Sequence, residues 1–390
     1  MEKVRFGIIG YGNMGSGHAK NFDEGKIENG ILTAIADINP QKLELAKNTL
    51  KHEVTYFNTA EALMDSGLVD AIIIAVPHYF HPPLTIMGLN KGLHVISEKP
   101  AGVYTKQVKE MNAVAAKSDK LFTIMFNQRT NCVYRKMREM IQNGELGDIK
   151  RITWIITDWY RTQSYYNSSN WRATWAGEGG GVLFNQCPHQ IDLLQWITGM
   201  MPARIQAHCH FGKWHDIEVE DDVTAYLEYD NGATGVFITS TGEAPGANRF
   251  EISGDKGSLL VEHNRLIFRK LDVSEREFNR TFKGGFGNPG CTDIEVETDG
   301  KNPQHVGIVN NFANAILGLE PLFVDGKEGL KGVEIMDGMM LSQWLGKTVT
   351  LPIDDDLYYS ELQKRIATSK VKTGQDVVLD TAGTYGGTSK

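Results

Sequence analysis

Cysteine is scarce in this 390-residue chain, and Cys132, Cys187, Cys209 and Cys291 are too scattered to form a CxxC pair. That spacing argues against a disulfide frame or a thiolate zinc site and reads as reduced thiols in a cytoplasmic protein. No segment approaches ~18 continuous apolar residues, so no membrane-spanning helix is expected. Basic runs are also missing. The net charge is −8, which argues against nucleic acid or an anionic membrane surface as a partner. The first apolar strand begins within a few residues of Met1, so no signal peptide is expected. The 41% hydrophobic content suffices for a sizeable core, and the length favours two domains over one.

The most telling segment that is present is Phe6-Gly-Ile-Ile-Gly10-Tyr-Gly12-Asn-Met-Gly15. An apolar strand running into GxGxxG brings a backbone close to a dinucleotide pyrophosphate. Gly10 permits the tight turn, Gly12 lets the main chain approach the phosphates, and Gly15 lets the following helix pack on the strand. The helix start then offers amides and a partial positive charge to the anion. Asp37 closes the next apolar strand, 22 residues beyond Gly15, near the ~20 expected of a ribose-binding carboxylate. Ile38-Asn39-Pro40 carries no arginine or lysine to receive a 2′-phosphate, so the expected cofactor is NAD.

Residues 1–126 alternate short apolar strands with helical stretches, the pattern of a doubly wound parallel sheet. Residues 127–350 read differently. After one helix, seven strand-like runs follow from Lys150 to Lys270, several joined by turn signals such as Asp230-Asn-Gly232. An α/β unit with a large open, mostly antiparallel sheet is expected there. Residues 351–390 form an extension whose last twenty residues are polar and glycine-rich, either a tail or an arm ordered on a partner.

Two strand ends carry unusual residues. Pro77 stops one strand, and His78 and His81 follow it where ligands bind in such sheets; each either meets a ligand or caps and packs. No carboxylate or cysteine accompanies them at ligand spacing, so no metal is expected. The other end is Glu98-Lys99-Pro100. Burial beside a cationic ring would lower the Lys99 pKa and let it share a hydroxyl proton. The alternative is a solvated Glu–Lys pair. A third segment runs from Gly177-Glu-Gly-Gly-Gly181 to Gly199 and reads as one helix kinked at Pro188. Asn185, His189 and Asp192 then share a face. His189 is either a proton shuttle or a core histidine paired with Asp192.

Taken together, the glycine loop, the Glu98–Pro100 triplet and the Gly179–Asp192 segment resemble the Gfo/Idh/MocA oxidoreductase family over about residues 1–350. The resemblance implies a Rossmann domain, a C-terminal α/β domain whose sheet often mediates oligomers, and hydride transfer between NAD(P) and a hydroxyl carbon of a sugar or cyclitol. It assigns Lys99 and His189 as catalytic. Expected cofactor contacts are Gly10, Gly12, Asn13, Met14, Gly15, Asp37, Pro77, His78, His81, Glu98, Lys99 and Gln128. Many members carry aspartate where this chain has Asn185, which can hydrogen-bond a hydroxyl but cannot accept its proton.

The stretch Asp158–Trp175 is rich in aromatic and polar groups, which suits a polyhydroxylated ring. Arg161, Tyr165 and Arg172, with Asn185, Lys99 and His189, are the expected substrate contacts, ahead of the tryptophans. A sugar, anhydrosugar or cyclitol substrate and a homodimer or homotetramer are expected. An NAD-dependent glycosidase and a non-catalytic NAD-sensing regulator are the competing readings.

Overall fold

The computed structural model describes residues 3–370 and 372. Short runs, mostly buried and apolar except for β3, build its first sheet: β1 (Val4–Ile9), β2 (Gly30–Ala36), β3 (Thr55–Phe57), β4 (Ala71–Ile74), β5 (His94–Ser97) and β6 (Phe122–Ile124). Their order is β3-β2-β1-β4-β5-β6, and every pair is parallel. Helices connect them, as burial on both faces demands. The order reverses between β1 and β4, so a crevice opens at their carboxyl ends. β3 was not expected; three residues without alternation give little periodicity to read.

The second sheet has nine strands: β7 (Ile149–Ile156), β8 (Arg204–Phe211), β9 (Glu220–Glu228), β10 (Thr234–Ser240), β11 (Asn248–Gly254), β12 (Gly257–Glu262), β13 (Arg265–Leu271), β14 (Cys291–Glu295) and β15 (Val349–Thr350). Their order is β14-β13-β12-β11-β7-β10-β9-β8-β15. Pairing is antiparallel except for β7 with β10. Alternation places Ala207, Ala225, Phe237, Trp154, Phe250, Val261 and Leu266 in one cross-strand row on the inner face. The Trp154 and Phe250 rings stack there with centroids 4.0 Å apart. Helices Cys132–Gln142, Pro188–Thr198 and Gly329–Leu345 cover this face. β14 and β15 were not expected: β14 is exposed at every residue, and β15 has only two.

Beyond residue 350 the chain forms a helix, Asp355–Ile366, capped by Asp354. Asp355 bonds Lys109 at 2.7 Å and the Thr105 hydroxyl at 2.8 Å, which holds this helix against the first sheet's outer layer. The tail or arm expected over the last twenty residues lies outside the described residues, Lys372 apart.

One buried ion pair joins the two sheets. Arg129, in the turn after β6, grips both oxygens of Asp192 at 2.7 Å, and each side chain is 1% exposed. Its third nitrogen reaches Glu328, ahead of helix Gly329–Leu345, at 2.8 Å. Removing one partner strands a buried charge. Arg129→Leu is therefore expected to destabilise by about 3–5 kcal/mol in urea unfolding. Arg129→Leu combined with Asp192→Leu should recover part of that loss. Equal losses in the single and double variants would show that the pair does not hold the joint.

Candidate functional site

The crevice at the β1–β4 reversal opens into one cavity of about 1240 Å³. Its floor is the glycine loop. Gly10 has φ +92°, and a Cβ there would lie 2.4 Å from the Ala75 carbonyl oxygen. A Cβ on Gly15 would lie 1.8 Å from the Gly10 carbonyl oxygen, so Gly15 packs the helix Asn13–Asp23 onto the turn and does not line the cavity. A Cβ on Gly12, which stands at that helix's N-cap, would meet nothing within 4 Å. The loop is thus tight against protein on two sides and bare on the third, the cradle a pyrophosphate needs. Asp37 lines the same cavity, its carboxylate fixed by the amides of Tyr11 at 2.7 Å and Asn39 at 2.8 Å. These residues fit a dinucleotide with its ribose hydroxyls at Asp37.

Further along lie the ends of β4 and β5. Pro77, His78, His81, Glu98, Lys99 and Gln128 all line the cavity. His81 braces the two strand ends: its ring nitrogens face the carbonyls of Pro100 at 2.7 Å and Val76 at 2.8 Å. A neutral ring donates to only one of them. Burial lowers its pKa, while both carbonyls pull the other way. His78 meets the Glu178 carbonyl at 3.2 Å. Gln128 donates to Gln304 at 2.9 Å.

Glu98 is no solvated partner of Lys99. It is buried, and His18 reaches it at 2.7 Å. Burial pushes its carboxyl up, but His18, His305 and Lys99 together outweigh that and bring it down to about 2. The His18 and His305 rings meet edge to face with centroids 5.6 Å apart. Burial drops His305 to about 4. The Lys99–Pro100 peptide is cis, and the Lys99 ammonium donates to the Asn185 carbonyl at 2.7 Å. Burial depresses the Lys99 pKa against the pull of Glu98 and Glu178.

The segment opposite is not one kinked helix. A short helix, Val182–Asn185, ends before Gln186, and Pro188 is the first residue of a new one, Pro188–Thr198, closed by Gly199 at φ +70°. Proline suits a first helical position and breaks an interior. Asn185, His189 and Asp192 therefore do not share a face. Asp192 turns to Arg129, and His189 turns into the cavity. Burial, and then the charge on Lys99, holds His189 well below the ordinary histidine value, so its ring is neutral; its Nδ1 is buried without a partner.

Glu178, from the glycine run, completes the group. It is buried and accepts from Ala173 N at 2.5 Å, from Arg172 at 3.5 Å and from the Asn185 amide. Burial raises its pKa, while Arg172 and the hydrogen bonds counter that. An aspartate at 185 would set two carboxylates in contact, so the amide there follows from the neighbour.

Two family models match the chain. One, described as "Oxidoreductase family, NAD-binding Rossmann fold", covers residues 4–126; the other, "GFO/IDH/MocA C-terminal domain", covers residues 134–260. The chain belongs to the Gfo/Idh/MocA oxidoreductase family. Among its Gfo/Idh/MocA relatives, myo-inositol 2-dehydrogenase of Thermotoga maritima is 27% identical over 271 residues, 67% of this chain and 76% of that one. Trans-1,2-dihydrobenzene-1,2-diol dehydrogenase of Bos taurus is 30% identical over 275 residues, 66% of this chain and 76% of its own. The crystal structure of the WlbA dehydrogenase from Bordetella pertussis, in complex with NADH and UDP-GlcNAcA, superposes with a TM-score of 0.77 at 25% identity. It covers 91% of this chain and 99% of its own. Residues 4–126 of this Gfo/Idh/MocA protein are thus an NAD-binding Rossmann fold.

The expected substrate contacts converge in this family member. Arg161, Tyr165, Arg172 and Asn185 line the same cavity as Lys99 and His189. The Tyr165 hydroxyl accepts from Arg172 at 2.7 Å and from Gln186 at 3.1 Å. Trp159 and Trp171 line it too, whereas Trp175 packs on Trp344 and Phe211. Sequence reasoning missed His18, Glu178, Gln304 and His305. For His18 a signal existed, since it shares the buried helix face of Gly15, Ala19 and Phe22. Gln304 and His305 reach the site from the far end of the chain, and no local pattern points to them.

The glycine run rests on Glu220. One oxygen of this buried carboxyl accepts from the amides of Gly181 at 2.8 Å and Leu183 at 3.0 Å; the other has no partner. Burial raises its pKa to about 8, above the ~4.3 of an unfolded chain. Its contribution to stability is thus full below about pH 4 and is lost as pH rises through about 8. Glu220→Gln keeps an acceptor and removes the titration. The variant should melt higher than wild type at about pH 9, with the gap closing towards about pH 5. A gap independent of pH would refute the assignment.

Proposed function

We propose that this protein is an NAD-dependent dehydrogenase acting on a hydroxyl carbon of a sugar, anhydrosugar or cyclitol. What carries the reading is the meeting of Lys99 and His189, both depressed by burial, in the cavity that continues from the glycine loop. NAD, when bound, supplies the nicotinamide ring that accepts a hydride from the substrate carbon. The chain's own part is to orient the hydroxyl and receive its proton. His189 is neutral near neutral pH and so can accept it; Lys99 holds the same oxygen and shares the charge. Asn185 fixes Lys99 through its carbonyl and Glu178 through its amide. Glu178 is thus one contact removed from Lys99. The inositol dehydrogenase relative and the sugar-nucleotide complex of the WlbA dehydrogenase support a polyhydroxylated substrate.

The test is NADH formation from NAD across cyclitols, aldoses and anhydrosugars. Turnover of one class is expected, and Lys99→Ala should lower kcat by ~10²-fold or more with little change in NAD affinity. Near-normal turnover in that variant would remove Lys99 from the chemistry.

We also propose that the outer face of the nine-stranded sheet joins a second copy of the chain. Ile155, Val236, Ile238 and Ile267 are only half-buried there, and Tyr226 is 44% exposed. Arg249 beside Glu251 and Glu262 gives the rim charges of both signs, which suits a two-fold self-contact. Ile238→Glu should halve the mass seen by light scattering. A wild type that is already monomeric would overturn the proposal.

A further inference from the structure

The substrate end of the cavity is cationic in a chain that carries −8 overall. Lys99, Arg161 and Arg172 all line it. The carboxylates close by are engaged: Glu98 with His18, and Glu178 with Arg172 and Asn185. Arg161 is the cation left over. Asp158 is close enough to feel its charge, yet among the described residues Arg161 makes no ion pair. Its guanidinium donates to the Tyr160 carbonyl at 2.9 Å and, at 3.5 Å, to that of Trp159, and its Nε is buried without a partner.

The guanidinium is nevertheless held in place. It lies 5.2 Å from the Tyr165 ring centre and 5.5 Å from that of Trp159. Arg172 lies over the same Tyr165 ring at 4.4 Å. Two like charges thus share one aromatic platform, and only one of them has a carboxylate. The Ser169 hydroxyl, the Gln186 carbonyl oxygen and the Trp159 indole nitrogen line the same end, each buried without a partner. A positioned, partly desolvated guanidinium matches a planar or tetrahedral oxyanion with two N–H bonds, where a neutral hydroxyl would use only one.

We propose that Arg161 is the specificity determinant of an oxyanion subsite, so that the substrate is a sugar or cyclitol bearing a carboxylate or phosphate away from the reacting carbon. The inference rests on the dehydrogenase reading for the reaction but not for the binding. The test uses matched pairs that differ in the anion: glucose with glucuronate, galactose with galacturonate, glucose with glucose 6-phosphate, and inositol with inositol 1-phosphate. Calorimetric titration of NADH-loaded protein gives affinity, and NADH formation gives kcat/KM.

The anionic member of at least one pair should bind ~10- to 100-fold tighter, as a hydrogen-bonded charge implies. Which pair shows it tells carboxylate from phosphate. Raising the ionic strength should shrink the preference. In Arg161→Gln the ratio should fall towards one; Arg161→Lys, which keeps the charge and loses the fork, should retain only part of it. Equal affinity within every pair overturns the subsite, as does a preference that survives in folded Arg161→Gln. Neutral polyols oxidised as well as their anionic partners would sink the subsite and leave the dehydrogenase standing. An anion bound through Arg161 without NADH formation would do the reverse.

Discussion

The joint between the sheets depends on a single buried guanidinium. Arg129 belongs to the turn that leaves the parallel sheet, Asp192 to the helix that carries His189, and Glu328 to the approach of the helix lying across both layers. Lys99 comes from one side of that joint and His189 from the other. Their meeting is thus fixed by an ion pair that touches neither. Such a pair earns little net stability, because desolvation offsets most of its attraction. Its value lies in geometry: an off-register approach of the sheets would leave two charges buried and unpaired.

Burial is the recurring device within the site itself. It lowers Lys99 and His189 and raises Glu178, in each case disfavouring the charged form. Glu98 is the exception, kept ionised by His18 although it is just as enclosed. The cavity therefore sets groups whose charged forms are disfavoured beside one fixed negative charge. Asn185, which breaks the common family pattern, fits this arrangement because its amide serves a carboxylate already present.

The first sheet, β3 apart, was legible in the sequence because its strands are continuous apolar runs. The glycine loop and the Glu98–Pro100 triplet could be placed for the same reason, as each ends a readable strand. The helix of His189 was misjudged at Pro188. Periodicity across residues 182–198 hides a break, and proline as a first helical residue looks the same in sequence as proline at a kink. The buried helix face marks His18 but not its partner Glu98, 80 residues away, and His305 meets His18 from the far end of the chain; Glu178 has partners only five to seven residues away, but the turn that joins them leaves no periodic pattern. The edge strands β14 and β15 were illegible because one is exposed throughout and the other is two residues long.

β7 and β10 lie side by side in parallel at the centre of the nine-stranded sheet, yet the chain between them runs from residue 157 to 233. That excursion holds the aromatic platform, the glycine run, the His189 helix and the paired strands β8 and β9. The groups proposed to select a substrate are therefore an insertion between two neighbouring rungs, with both ends fixed by the ladder. Such a segment can drift in length and composition while the frame and the dinucleotide cradle stay as they are. The architecture separates what is held constant from what is free to diversify, and one scaffold can serve many substrates.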